Sequence, residues 1–246
     1  MVPLGHTHLH FDTLPSTQDW LADHWPHWPD GFVVTADDQT AGRGQAGRAW
    51  HTAPGFNFTG SFLLRDRPLP AKRPFQLNKA AALAVRDAVV GLLGTWSGLQ
   101  VKWPNDVVAY GRKLAGILPQ LVWQGSRLEA VVLGIGLNVN EQAFPPELAG
   151  RATSLNLLAG RPFDLHRVRE TLCRCLDARL HQVASAPAQL DADYLAGLYR
   201  YQEWAQYRHG QQTMTASIVG VDLAGGLVLE SEGGLLRVQP REIEYL

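Results

Sequence analysis

Cysteine is nearly absent: the 246-residue chain has two, Cys173 and Cys175. They stand one residue apart in a helical pattern, where that spacing points them to different sides. No bridge between them is expected, and a reduced, cytoplasmic setting follows. Long apolar runs are absent too. Stretches such as Val131-Val132-Leu133 and Gly116-Ile117-Leu118 fall far short of a bilayer span, so no membrane partner is expected. The start, Met1-Val2-Pro3-Leu4-Gly5-His6, lacks the basic residues and apolar stretch of a signal peptide. Charge of one sign is not in excess either. The net charge is −1 and the basic residues are scattered, which argues against general affinity for a polyanion such as DNA. No internal repeat or low-complexity tract stands out. What is present is a chain 46% hydrophobic and 18% charged, enough to bury a sizeable core. Its length suits one large domain plus one small one.

Local patterns outline the elements. His6-Thr7-His8-Leu9-His10-Phe11 alternates as a first strand would. Its three histidines would share one face. A solvated face is expected there rather than a metal, because no Asp, Glu or Cys joins them at ligand spacing. Ser16-Thr17-Gln18-Asp19 is a capping box at a helix start. Residues 32–36 read as a buried strand and 56–64 as an alternating one. Pro68, Pro70 and Pro74 bracket a loop before a helix whose stripe is Leu77, Ala81, Ala84, Val85, Ala88 and Leu92. A strand over 99–103 is ended by Pro104. Residues 114–123 and 130–137 form a strand pair joined at Gln124-Gly125-Ser126. Asp164 caps a helix with Leu165, Val168, Leu172, Leu176, Leu180 and Val183 on one side, and 190–198 adds another. From Tyr201 the helical period vanishes. Short strands over 215–221, 227–230, 235–238 and 242–245 read as a small all-β barrel. The expected division is a mixed α/β domain over 1–198 and a small β domain over 199–246.

Four segments carry unusual chemistry. Gly42-Arg43-Gly44-Gln45-Ala46-Gly47-Arg48-Ala49-Trp50 combines glycines that allow close approach, guanidiniums that fit carboxylate or phosphate oxygens, and an indole that can stack on a heterocycle. Its bland reading is a surface turn with solvated arginines. Lys102-Trp103-Pro104-Asn105-Asp106 puts Asn105 and Asp106 at a strand's C-terminal end, where a Lys, an Asn and an Asp could hold a nucleotide phosphate and its magnesium. Alone it reads as an Asn-Asp turn. Lys113 opens an apolar strand in which Gly116 leaves room for something to approach. Gly134-Ile135-Gly136-Leu137-Asn138 only half mimics a dinucleotide fingerprint, because Val139 takes the third glycine's place and no helix follows before Pro145-Pro146. Those glycines are read as letting a ligand lie against the strand, with Asn138 offering it an amide.

In this order the segments Ser16-Thr17-Gln18, Gly42 to Trp50, Lys102 to Asp106, Lys113-Leu114-Ala115-Gly116-Ile117-Leu118 and Gly134 to Asn140 resemble the biotin–protein ligase family. The resemblance runs from about Phe11 to the end. It implies an α/β (α+β) fold: a class II aminoacyl-tRNA-synthetase-like catalytic domain with a mixed β-sheet flanked by helices, plus a small C-terminal SH3-like β-barrel. It implies an enzyme that joins biotin and ATP, with Mg2+, to biotinyl-AMP and pyrophosphate. The acyl group then passes to a lysine of a biotin carboxyl carrier protein of acetyl-CoA carboxylase. By resemblance Ser16, Thr17, Gln18 and Gln39 meet biotin's ureido group with the Arg43-Gly44-Gln45 loop, and the tail lies along Gly116. Lys113 and Arg48 face the carboxylate and α-phosphate. Asp106 positions magnesium or the ATP phosphates, or else orients Lys113 or the attacking amine. Gly42, Trp50, Lys102, Asn105 and Asn138 serve the nucleotide.

Two residues depart from the family's pattern. Gln18 stands where the family has Asn, adding a methylene, and Gln45 stands where it has a second loop arginine. Members that also repress transcription carry an N-terminal helix-turn-helix domain. Only about fifteen residues precede Ser16 here, so no DNA binding is expected. A homodimer is compatible with the resemblance. The rivals are a lipoate–protein ligase, against which the Trp-Pro-Asn-Asp and Gly-Arg-Gly segments argue, and a biotin-sensing protein without turnover, which would not need Lys113, Asp106 and Arg48.

Overall fold

A computed structural model describes residues 2–67, 70–94 and 98–246; Pro68 of the proline-bracketed loop lies outside them. The first strand, β1 (His8–Leu14), leads into α1 (Thr17–His24), which Ser16 caps by accepting from the Asp19 amide. A 3-10 turn at Trp25–His27 follows, then β2 (Val33–Gln39), a second 3-10 turn at Gln45–Gly47, and β3 (Phe58–Leu64). Helix α2 (Phe75–Leu93) precedes β4 (Leu99–Lys102), β5 (Asp106–Ala109), β6 (Arg112–Gln124) and β7 (Arg127–Leu137). Helices α3 (Leu155–Ala159), α4 (Leu165–Ser185) and α5 (Pro187–Ala196) complete this part.

The seven strands form one mixed sheet in the order β1-β2-β3-β7-β6-β5-β4. Only β1 and β2 run parallel; the other neighbours are antiparallel. Every residue of β3 is buried, so the expected alternation does not appear. The reason is position. Phe58, Phe62 and Leu64 join the core under α2 and α4, while Leu63 joins a second core with Leu21, Phe32 and Val34 beneath α1. A sheet covered on both faces has no wet side to alternate toward. Helix α2 packs on α4 through an alanine-rich face (Ala80, Ala81, Ala84 and Ala88 are fully buried), which allows close helix approach.

A buried charge cluster fastens the edge of this layer. Asp30 and Arg67 side chains are each 6% exposed, and Arg67 Nε lies 2.8 Å from Asp30 Oδ2. Arg67 Nη1 also reaches Asp177 Oδ1 on α4 at 3.0 Å, and its Nη2 donates to the Val2 carbonyl at 2.9 Å. Asp30 Oδ1 additionally accepts from the Arg65 amide at 3.1 Å.

The C-terminal residues form a second, antiparallel, SH3-like sheet of five strands in the order β11-β10-β9-β8-β12. They are β8 (Trp204–His209), β9 (Gln212–Val221), β10 (Leu227–Ser231), β11 (Gly234–Val238) and β12 (Ile243–Tyr245). Strand β8 had no sequence signal, since Tyr207 is its only buried residue. The two sheets share one apolar core, in which Tyr207, Ile218, Leu227 and Leu229 join Leu99, Val101 and Trp103. The turn at Gly225 docks against the large sheet. Trp103 Nε1 donates to the Gly225 carbonyl at 2.8 Å. Gly225 has φ +95°, and a Cβ there would sit 2.6 Å from the Phe75 ring, so only glycine fits.

Candidate active site

The site is built on a patch of sheet without side chains. In the β6–β7 pair, Gly116 lies opposite Gly136 and Leu118 opposite Gly134. Residues two apart on a strand share a face, so Gly134 and Gly136 open one continuous floor. Two side chains lie on it. A Cβ at Gly136 would fall 2.3 Å from the Trp50 indole, and one at Gly116 would fall 3.1 Å from it. A Cβ at Gly134 would fall 2.0 Å from Gln18 Oε1. These glycines make seats for Trp50 and Gln18, whereas the sequence reading left the space to a ligand.

One end of the floor is polar and uncharged. Gln39 Oε1 accepts from the Thr17 amide at 2.8 Å and from Thr17 Oγ1 at 3.1 Å. Thr17 Oγ1 and Ser61 Oγ are 3.0 Å apart. Ser16, Thr17 and Gln18 are all buried there, at the first turn of α1. Sequence reasoning missed Ser61 and Gly60; a Gly-Ser pair inside an apolar strand was the available signal. The other end is charged. Lys113 Nζ lies 2.7 Å from Asp106 Oδ1 and 5.6 Å from the Trp50 ring centroid. Asn105 lines this end, but its Nδ2 donates to the Ile117 carbonyl at 2.8 Å. Asp106 opens β5 rather than ending the preceding strand.

The glycine-arginine loop forms the roof. Trp50 N donates to the Gly42 carbonyl at 2.9 Å and Gly44 N to the Arg48 carbonyl at 2.6 Å, closing a small ring. Arg43, Gly44 and Gln45 line the pocket, and Arg43 pairs with Asp19 on α1. Arg48 is exposed and lies outside the lining. Gly42 is buried behind the roof, where a Cβ would meet the Trp50 carbonyl at 2.8 Å. The space left in the pocket is about 40 Å³. That holds a water or so, and ligand pockets run to roughly 300–1,000 Å³. Trp50, seated on Gly116 and Gly136, takes up much of the floor.

Besides Arg48, two expected site residues, Lys102 and Asn138, are placed elsewhere, and Asp106 stands beside the lining residue Lys113 without lining the pocket itself. Lys102 Nζ sits over the Tyr245 and Tyr199 rings at 4.6 and 5.8 Å, and burial lowers its pKa. It thus packs toward the small sheet. Asn138 is buried, and its Nδ2 donates to the Thr153 carbonyl at 3.0 Å, holding the chain after β7 rather than facing the pocket.

The histidine reading also needs correcting. His6 precedes β1, and carboxylates do join the cluster: His10, Asp12 and Asp37 bring ligand-type atoms within 4.8 Å of one another. Asp37 comes from the neighbouring strand, and His10 Nε2 lies 3.5 Å from its carboxylate. His8 and His10 both meet Thr35 Oγ1, at 2.8 and 2.9 Å. Burial, then Arg169, lowers the His8 pKa to about 4. An unfolded histidine titrates near ~6.5. His8 is therefore neutral in the fold, and stability is full above that pH and falls as pH drops toward 4. His8→Gln is expected to flatten this acid limb of urea-unfolding curves; an unchanged slope would contradict the assignment.

A model of the biotin/lipoate A/B protein ligase family matches residues 10–138, from β1 through Asn138. The chain belongs to the biotin/lipoate A/B protein ligase family. Within this ligase family it is 33% identical to the Bacillus subtilis bifunctional ligase/repressor BirA, over 98% of this chain and 74% of that one. It is 32% identical to the Paracoccus denitrificans biotin–[acetyl-CoA-carboxylase] ligase, over 86% and 89% of the two chains. Its fold matches the biotin protein ligase from Aquifex aeolicus in complex with biotin and ATP, with a TM-score of 0.80 and 25% identity, covering 98% and 100% of the two chains.

Proposed function

We propose that the protein is a biotin–[acetyl-CoA-carboxylase] ligase. The observation that carries this is the polarity along one pocket: an uncharged hydrogen-bonding end at Thr17, Gln39 and Ser61, a bare floor at Gly116 and Gly136, and a lysine at the far end. Biotin has the same order, with a ureido group, an alkyl tail and a carboxylate. Lipoate would place an apolar dithiolane against the polar end and offer those groups no hydrogen bond.

In this reading Ser16, Thr17 and Gln39 receive the ureido group, and the tail crosses Gly116. Lys113 and Arg48 offset the repulsion between the carboxylate and ATP, which enters with Mg2+ as its counter-ion. The carboxylate oxygen attacks the α-phosphorus, the bond to the pyrophosphate oxygen breaks, and biotinyl-AMP and pyrophosphate result. A carrier lysine amine then attacks the acyl carbon, AMP leaves, and the amide loses a proton. The 2.7 Å pair supports Asp106 as the group that orients Lys113. Among the described residues Asp106 is the carboxylate beside Lys113, and it is also the group that would meet the magnesium arriving with ATP. Gly42 and Gly44 let the loop order over the intermediate while Trp50 covers it and Asn105 frames the nucleotide. Lys102 and Asn138 support the site from behind.

The proposal extends to a catalytic unit over 1–198 with a small β unit over 199–246, a cytoplasmic setting supported by two free thiols, and a homodimer. Labelled biotin and labelled lipoate, each offered with MgATP and a biotin carboxyl carrier domain, test it. Transfer of lipoate in preference to biotin would overturn the substrate, and sedimentation reads the assembly. Gln45 lines the pocket as an uncharged residue where the family has arginine. Gln45→Arg adds one charge-assisted contact and is expected to slow biotinyl-AMP release by about tenfold. Equal off-rates for the two proteins would remove Gln45 from the retention argument.

A further inference from the structure

The residue at which the chain departs from its family's helix-start motif, Gln18, makes contacts that explain its extra length. Its Nε2 donates to two main-chain carbonyls on different strands, Leu118 at 3.0 Å on β6 and Val132 at 3.1 Å on β7. Both amide hydrogens are then used, which fixes which way the amide faces. Oε1 lies over Gly134, where a Cβ would be only 2.0 Å away, and it has no hydrogen-bond partner. It is also almost wholly covered, although Gln18 borders the pocket. Thr17, the next residue back, is the one whose amide and hydroxyl meet Gln39 and Ser61 at the pocket's polar end.

We propose that Gln18 and Gly134 are a matched pair that positions the first turn of α1, and through it Thr17, on the pocket floor. Gln18 is a positioning residue, not a biotin contact. Its amide spans from the helix to the backbone of β6 and β7, and glycine at 134 is the seat in which its Oε1 lies. A methyl group at 134 drives the amide off both carbonyls. The helix turn then shifts, and the ureido end of the pocket loosens while Lys113, at the start of β6 and held there by the Asp106 pair, stays in place. The inference rests on biotin as the substrate, and it refines where specificity for that substrate is set.

The test is a double-mutant cycle with Gly134→Ala, Gln18→Asn and both together. Biotin-dependent pyrophosphate release is measured as a function of biotin and of ATP, with melting temperature in parallel. Gly134→Ala is expected to raise the biotin KM by tenfold or more, with kcat and the ATP KM changed less than threefold. Gln18→Asn should raise the biotin KM about threefold, since a shorter amide reaches fewer carbonyls. The double variant should return the biotin KM to the Gln18→Asn level and recover melting temperature lost by Gly134→Ala. If Gly134→Ala does not fold, Gln18→Ala, which leaves the seat empty, should reproduce the selective rise in biotin KM. Additive effects in the cycle, or an ATP KM that rises with the biotin KM, would overturn the pairing. No pyrophosphate release by the wild-type protein with biotin would instead overturn the substrate assignment beneath it.

Discussion

Lys113→Ala is expected to lower biotin-dependent pyrophosphate release by about 10³-fold, the scale seen when one preorganised group facing developing charge is removed. Two anions must meet in the adenylation step, and Lys113 is the cation aligned with the pocket's charged end, 2.7 Å from Asp106. The loss should fall on kcat/KM for biotin and ATP together, because the group is needed where both meet. It also leaves the half-buried Asp106 carboxylate without its partner, adding negative charge where more is arriving. Melting temperature should change little, since the Lys113 side chain is 40% exposed and exposed pairs stabilise weakly. Activity within threefold of wild type would show that the lysine does no electrostatic work in the reaction.

Asp30→Ala should be the most destabilising single change in the charge cluster described above, by about 3–5 kcal/mol. The cost comes from what remains. Arg67 is 6% exposed and would keep the Asp177 carboxylate, itself 32% exposed, as its one charged partner in the cluster, beside the Val2 carbonyl. The Arg65 amide would lose its acceptor as well. For a chain of this size the melting temperature should drop by roughly 6–20 °C. Asp30→Asn, which keeps an acceptor oxygen, should cost less. An Asp30→Ala protein as stable as wild type in urea would mean that water already solvates this cluster. The cluster is distant in kind from the pocket, so a surviving fraction should bind biotin normally.

Particular residues show how far the sequence could be read. Ser16 and Asp164 were legible as caps because capping is decided within four residues, and both accept the expected amides. The α2 stripe and the β6–β7 hairpin were legible for the same local reason. Strand β8 was not, because its place is set by its neighbours β9 and β12 and not by its own pattern. In the site, the order of motifs brought Thr17, Gln39, Trp50, Asn105 and Lys113 into one pocket. What it could not give was division of labour within a motif. Lys102 and Trp103 turn to the small sheet while Asn105 lines the pocket and Asp106 pairs with Lys113 beside it, a split decided by where a second sheet docks. Likewise, Gly134 and Gly136 announce space, but only the fold reveals that Gln18 and Trp50 fill it.

The Trp50 seat has one more consequence. In the free protein the floor between Gly116 and Gly136 is already taken, by an indole the chain itself supplies. On the proposed reading, substrate would compete with this intramolecular occupant, and its measured affinity would be the intrinsic one reduced by the fraction of molecules whose seat is vacant. On the same reading, the tryptophan that would cover biotinyl-AMP is also a competitor that the substrate would have to displace.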